Sequence, residues 1–264
     1  VGVSNVILSF VLAVVFDFGI QGIAIASSIS FLISALYSTK VLLNKQQQDD
    51  VSDVLVDKKE VSHKFFYVGF YIFVRSMFLT IFMAYLRNRA SLMSMEEIAL
   101  QHVLLQLWSF GYVFVDALAI AAQTLVSEYK TKFHDYRNSD LKKYLNKLTL
   151  RISVSLFVFS SIFLDTLITL ITDKSLGQLI DFELRILFGL SLLIGSFAFL
   201  WDGVLLGLDK SREFSSLTVV SSIIGFISCS YFLNFENTLS SLWIGLNLSL
   251  VYRGVAGFLY QIRD

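Results

Sequence analysis

WSFGYVFVDALAIAAQTLV, residues 108 to 126, decides the fold class because this stretch is long and apolar enough to cross a lipid bilayer. Its one charged residue is Asp116, near the middle. A carboxylate at that depth costs about 2.5 to 3.5 kcal/mol on insertion scales, so it should face a partner or a water-filled cavity rather than lipid. We therefore expect function to lie near Asp116.

The composition extends this reading to the whole chain. Hydrophobic residues make up 55% of the sequence and charged residues 16%, with a mean hydropathy of +0.69, whereas soluble domains average about 25% charged residues. The sequence therefore predicts an all-α integral membrane protein. Its 21 basic and 21 acidic residues balance, which offers no support for a nucleic-acid partner. The chain begins with Val1 inside an apolar stretch, so upstream sequence is expected.

Eight transmembrane helices are predicted when about 20 apolar residues are assigned to each crossing. They cover roughly residues 3 to 18, 22 to 43, 65 to 86, 100 to 126, 148 to 171, 186 to 208, 214 to 233 and 240 to 260. The polar stretch 44 to 64 contains no enzymatic motif and is interpreted as a cytoplasmic linker. It separates the two helices of residues 1 to 43 from the six helices of residues 65 to 264.

The distribution of Lys and Arg predicts the orientation in the membrane. These residues are concentrated in the linker, in the loop after the fourth span and near residues 210 to 212. Because positive charge favours the cytoplasmic side, we place the linker and the C-terminus there. The spans contain no proline, so their glycines are interpreted as close-packing positions, with hinges as the alternative.

Four ionisable residues lie well inside the predicted spans. At a rise of 1.5 Å per residue, Arg75 and Asp116 are both about 15 Å from the cytoplasmic helix ends, and Asp202 and Arg253 are both about 10 Å from them. Two pairs of opposite charge at matched depths are predicted, since an unpaired buried charge is far more costly than a hydrogen-bonded pair. The pairs are either structural bridges between helices or groups in a hydrated cavity, where protonation of a carboxylate biases one of two conformations.

Polar side chains on the fourth span are further candidates for lining such a cavity. They are Gln101, His102 and Gln106, together with Gln123, which follows Asp116 by seven residues and so lies on the same helix face. Hydrogen bonds between helices explain the same pattern equally well. The three histidines form no metal-ligand cluster, and no catalytic motif is present, so neither a metal, a cofactor nor a catalytic residue is predicted.

Several segments together resemble one family of transporters. ALQHVLLQLW (99 to 108) followed by DALAIAAQTLV (116 to 126) resembles the eighth helix of the multidrug and toxic compound extrusion (MATE) family. WDGVLLGLDKSR (201 to 212) resembles the tenth helix and its exit, and SLWIGLNLSLVYRG (241 to 254) resembles the twelfth helix of the DinF branch. NVILS (5 to 9) with GIQGIAIAS (19 to 27) resembles the passage from the fifth to the sixth helix.

The resemblance implies that the chain is the C-terminal two-thirds of a twelve-helix transporter with two six-helix lobes. Members of the family export organic, often cationic or amphipathic, compounds in exchange for protons or sodium by rocking the lobes. The implied partners are a small-molecule substrate, a coupling ion and membrane lipid. The implied protein is a monomer in the plasma (inner) membrane and not an enzyme.

Departures from the family pattern weaken parts of this assignment. Asn5 is followed by Ser9 where the family often has an Asp, so Asn5, Ser9 and Ser27 are interpreted as remnants of an ion site in the N-terminal lobe. Arg75 and Asp202 occupy the positions of a Glu and an Asp that bind a cation in the sodium-linked branch, so a cation site there is not expected. The order of His and Gln on the eighth helix is also exchanged.

Other function classes remain open. A flippase for lipid-linked saccharides has a related architecture, but we expect the central cavity of such a protein to be basic. The four buried charges of this chain sum to zero, which disfavours a flippase. A lipid-modifying membrane enzyme would need a cluster of reactive groups at the bilayer surface, which the short outer loops do not supply. A non-transporting assembly subunit would have little use for costly buried charges.

Overall fold

The computed structural model describes residues 2–48, 58–133, 140–172 and 174–263. Every regular element within these ranges is helical, and seven helices are long and apolar enough to cross a membrane. The predicted all-α membrane fold is therefore confirmed. The chain divides into two compact units, Val1–Val61 and Ser62–Asp264.

The first unit contains two helices. Helix α1 spans Gly2–Phe10 and continues as one π-helical turn, Val11–Val15, and α2 spans Gly19–Gln48. The first predicted span is thus the exception, because the described helical stretch is shorter than 18 residues and lacks membrane-spanning length. Gly22 allows α2 to pack closely on the π turn, since a Cβ at this position would lie 2.8 Å from the backbone of Leu12.

The second unit contains six membrane-length helices. They are α3 (Lys58–Ala90), α4 (Met95–Phe133), α5 (Asp140–Ile171), α7 (Phe182–Gly207), α8 (Ser211–Phe235) and α9 (Leu239–Arg263), and the four-residue α6 (Lys174–Gly177) lies between α5 and α7. Each of the six membrane-length helices contains a predicted span, except that the span 186 to 208 extends one residue beyond the end of α7. Both ends of the predicted linker 44 to 64 are helical, because α2 ends at Gln48 and α3 begins at Lys58. Residues 49 to 57 lie outside the described residues.

Local sequence signals explain where two of these helices begin. Ser94 and Glu97 form a capping box at the start of α4: the Glu97 amide donates to Ser94 Oγ at 3.2 Å, and the Ser94 amide donates to Glu97 Oε2 at 3.0 Å. Asp181 caps α7 by accepting from the Leu184 amide at 2.8 Å. Polar caps at both positions mark the ends of the apolar spans.

Helix α7 is central to the second unit and packs against α4, α5 and α9. Small residues permit its close approach to α4: a Cβ on Gly203 would collide with the backbone of Ala119, and one on Gly207 would lie 2.6 Å from the carbonyl oxygen of Gln123. This G-x-x-x-G spacing places two glycines on one face of the helix. It brings the neighbouring Asp202 into the buried interior, beside α4 and α9.

Candidate functional site

Asp202 and Arg253 form a buried ion pair between α7 and α9. Arg253 Nε donates to Asp202 Oδ1 at 3.2 Å, and Arg253 Nη2 donates to the second oxygen, Oδ2. The two side chains are only 7% and 3% exposed. The pair predicted from matched depth is confirmed, and a fork-like guanidinium that contacts both carboxylate oxygens is the geometry such burial requires.

Arg75 pairs with the same carboxylate, so its predicted pairing with Asp116 is wrong. Arg75 Nη2 lies 3.7 Å from Asp202 Oδ2. Residue counting placed Arg75 about one helical turn deeper than Asp202, and an extended arginine side chain covers that difference. Depth also leaves undetermined the direction in which a side chain points around its helix, and Asp116 lies on the exposed side of α4.

Asp116 interacts with the arginines of this cluster through its charge and does not contact them. Its side chain is exposed in the second unit, and no basic group in the described part of the chain lies within 4 Å of it. Its charge nevertheless interacts with both Arg75 and Arg253. The three groups in contact, Arg75, Asp202 and Arg253, have a formal charge of about +1 when all are ionised, and Asp116 balances it.

Aromatic rings support both arginines. The Arg75 guanidinium lies over the ring of Phe214 on α8 at 4.4 Å from its centroid, and that of Arg253 lies over Phe199 on α7 at 4.8 Å. Cation–π contacts of this kind are strengthened where water is excluded. The rings therefore hold two positive charges near one carboxylate in a largely apolar setting.

Of the four polar residues predicted to line a cavity near Asp116, one lies in the interior and three are exposed. Gln101 is buried and accepts a hydrogen bond from Trp243 Nε1 at 3.0 Å, whereas His102, the next residue, is exposed because successive helical positions differ by about 100°. Gln106 and Gln123 are exposed as well. Gln106 lies instead at the edge of an apolar cavity of about 430 Å³ between α4, α5 and α7.

The three polar candidates in the first unit do meet. Asn5 Oδ1 accepts from Ser9 Oγ at 3.3 Å and from Ser27 Oγ at 3.2 Å, which ties α1 to α2. The π-helical turn begins two residues after Ser9, and such turns are frequent at functional sites. The group is neutral, so it offers oxygen ligands but no titratable side chain.

Sequence reasoning missed a buried network that supports the ion cluster. Trp108 Nε1 donates to Ser191 Oγ at 2.9 Å, and Tyr112 Oη donates to the Ser191 carbonyl oxygen at 3.1 Å. The Tyr112 ring packs on Phe199, with centroids 4.6 Å apart, and the Phe199 ring in turn contacts the Arg253 guanidinium. The four-residue spacing of Trp108 and Tyr112 showed that they share a helix face, but their partners on α7 depend on tertiary packing.

Comparison with known proteins places this arrangement in a recognised fold. No protein-family model and no curated protein matches the sequence. A MATE crystal structure in the straight conformation matches over 98% of this chain with a TM-score of 0.81 and 17% identity. The protein has the fold of the MATE transporters.

Two further solved structures show the same likeness. An outward-facing multidrug resistance MATE transporter of the MOP superfamily matches with a TM-score of 0.80, and a MOP superfamily transporter from Pyrococcus furiosus, whose binding pocket is described as having reverse polarity, matches with a TM-score of 0.78. Both are 18% identical and match over 98% of this chain. The chain spans 59% of the length of each of these three structures. With seven membrane-length helices and this fold, it is an integral membrane protein.

Proposed function

We propose that the protein is a DinF-like MATE secondary transporter that exports amphipathic organic compounds by proton antiport, with rocking of two lobes. In this proposal residues 1 to 43 end the N-terminal lobe and residues 65 to 264 form the C-terminal lobe, with the linker and the C-terminus in the cytoplasm. The transporter acts as a monomer in the plasma membrane. The MATE fold and the resemblance of the α4, α7 and α9 segments to family helices support it.

The observation that carries the proposal is a buried ion cluster beside an exposed carboxylate within membrane-spanning helices. Ionisable groups at such depth are costly and mark ion or substrate pathways. Asp116 is accessible, and its charge interacts with two arginines, so its protonation changes the force on both. A proton is therefore able to bias the positions of α3 and α9, which carry Arg75 and Arg253.

The same cluster supports a proton rather than sodium as the coupling ion. Both oxygens of Asp202 contact the Arg253 guanidinium, and Arg75 adds a second positive charge. A sodium ion at this carboxylate would have to displace a tethered guanidinium and overcome its repulsion. At this position the cluster also disfavours the cationic substrates that the resemblance implies.

A flippase for lipid-linked saccharides is the second candidate. The net positive charge of the three groups in contact favours it, because arginine forks recognise phosphate. The exposed Asp116 opposes it, since its negative charge brings the whole group back to neutrality. Flipping of a lipid-linked saccharide without export of amphipathic dyes would favour this candidate.

The proposal is tested with the protein reconstituted in liposomes under an imposed pH gradient. Proton-driven transport of anionic, neutral and cationic amphipathic dyes is measured for the wild type and for Asp116→Asn. Asp140→Asn is the matched control, because its carboxylate is 99% exposed at the start of α5. We expect Asp116→Asn to abolish the pH dependence of transport and the control to keep it. Full proton-driven transport by Asp116→Asn would refute the coupling role.

A further inference from the structure

We propose that Arg75 binds the carboxylate of the transported compound, so that the substrate is an organic anion with an apolar body. This inference rests on the proposed function as a transporter and names its substrate class. It starts from an unsatisfied group. The guanidinium offers five N–H donors, yet Arg75 makes no hydrogen bond with any described residue, and its Nε is buried without an acceptor.

The neighbouring Arg253 shows that Arg75 is not required to satisfy Asp202. Arg253 already donates to both carboxylate oxygens, whereas the nearest Arg75 nitrogen is 3.7 Å away, beyond hydrogen-bond distance. A second, poorly satisfied cation in a buried cluster is destabilising. An anion that binds during part of the transport cycle would supply the missing acceptors and the missing charge.

Access and geometry fit such a ligand. The Arg75 side chain is 18% exposed, compared with 3% for Arg253, so a ligand is able to reach it. The ring of Phe214 covers one face of the guanidinium, so a ligand would have to approach along the edge that holds the N–H groups. Arginine binds carboxylates through two parallel hydrogen bonds at that edge. Phe214 adds an apolar surface beside the carboxylate site.

The charge of Asp116 acts on this site. The charged groups that act on it are Arg75 on α3 and Arg253 on α9, with the hydroxyl of Tyr112 on its own helix and Asp202 on α7 nearby in the cluster. An ionised Asp116 competes with a ligand carboxylate for the positive charge of Arg75. Removal of the Asp116 charge by substitution therefore strengthens anion binding.

Three probes with one fluorophore test the charge preference. Dansylglycine has a carboxylate, dansylglycinamide is its neutral amide, and monodansylcadaverine is a cation. Binding is measured by fluorescence titration with the purified protein in phosphatidylcholine nanodiscs, which contain no acidic lipid. We expect dansylglycine to bind about tenfold more tightly than the neutral amide, and the cation to bind most weakly.

Variants then assign the preference to Arg75. Arg75→Gln is expected to weaken dansylglycine binding about tenfold and to leave the amide unchanged, and Arg75→Lys should fall between because it keeps the charge but loses the fork. Arg87→Gln, at the exposed end of the same helix, is the matched control. Asp116→Asn is expected to tighten dansylglycine binding about fivefold, a gain that misfolding cannot mimic.

Four outcomes would overturn the proposal: equal affinity for the three probes, no binding of any probe, unaltered dansylglycine affinity in Arg75→Gln, or the same loss in Arg87→Gln. The outcomes remain separate from those of the proposed function. Selective binding of dansylglycine without transport would leave the site in place and remove the transporter assignment. Proton-driven transport without a preference for the anionic probe would support the transporter assignment and rule out the anion site.

Discussion

Replacement of Asp202 by Asn is predicted to be among the most destabilising polar substitutions in the second unit. It leaves two arginines near each other in a buried site without their shared counter-charge. Removal of one partner of a buried ion pair lowers the free energy of unfolding by about 3 to 5 kcal/mol. We expect the upper part of this range because the Asp202 side chain is only 7% exposed and contacts both guanidiniums.

The assay is thermal unfolding of the purified protein in detergent, followed by size-exclusion chromatography. In a domain of about 200 residues, 1 kcal/mol corresponds to about 2 to 4 °C, so Asp202→Asn should lower the Tm by about 10 °C or more. Arg253→Gln should cost less, because Arg75 remains as a counter-charge. Arg75→Gln should change stability by less than about 1 kcal/mol, since it breaks no hydrogen bond.

Asp116→Asn is the matched control, because its carboxylate is exposed and makes no close ion pair with the described residues. A loss of no more than about 1 kcal/mol is expected for it, which corresponds to the fivefold effect of its charge on anion binding. The reasoning is refuted if Asp202→Asn costs no more than Asp116→Asn. It is also refuted if Arg75→Gln is as destabilising as Arg253→Gln, because the two contacts with Asp202 would then be equivalent.

Three further predictions concern packing in the second unit. Gly203→Ala should destabilise the protein by about 1 to 3 kcal/mol because its Cβ meets the backbone of α4, whereas the Tm of Gly254→Ala should stay within a few degrees of wild type, since its nearest neighbour is 3.8 Å away. Asp209 has a φ of 64°, so Asp209→Gly should raise the Tm by relieving about 1 kcal/mol of backbone strain; a lower Tm would show that its ion pair with Lys130 dominates. Cys229 is fully buried against Gly245, so a maleimide reagent should label it in denaturant but not in the folded protein; rapid labelling of the native state would contradict this packing.

Much of the fold could be predicted because hydrocarbon imposes a local requirement. Every backbone amide must be satisfied within its own segment, so a long apolar run must form a helix whatever its neighbours are. Six of the predicted spans correspond to helices of the second unit for this reason. Residues 3 to 18 are different, because their apolar run predicts one helix and the structure interrupts it with a π turn at Val11–Val15.

The sequence predicted which charged residues form the candidate site, but it did not predict all of the contacts between them. The cost of burial singled out Arg75, Asp116, Asp202 and Arg253, and matched depth found the partner of Arg253. Depth failed for Arg75 because it leaves open the rotation of each helix about its axis. The same freedom separated Gln101, which bonds Trp243 in the interior, from the exposed His102 beside it.

The sequence by itself determined a helical membrane protein, the positions of most spans and the set of charges that must be compensated, because these follow from the free energy of each segment in lipid. Only the tertiary structure decided that one carboxylate serves two arginines while Asp116 faces outward. That choice depends on the packing of α7 against α4 through Gly203 and Gly207, which determines the depth and rotation at which Asp202 meets its neighbours. Contacts between segments distant in the chain arise from this packing and have no signature in any one segment.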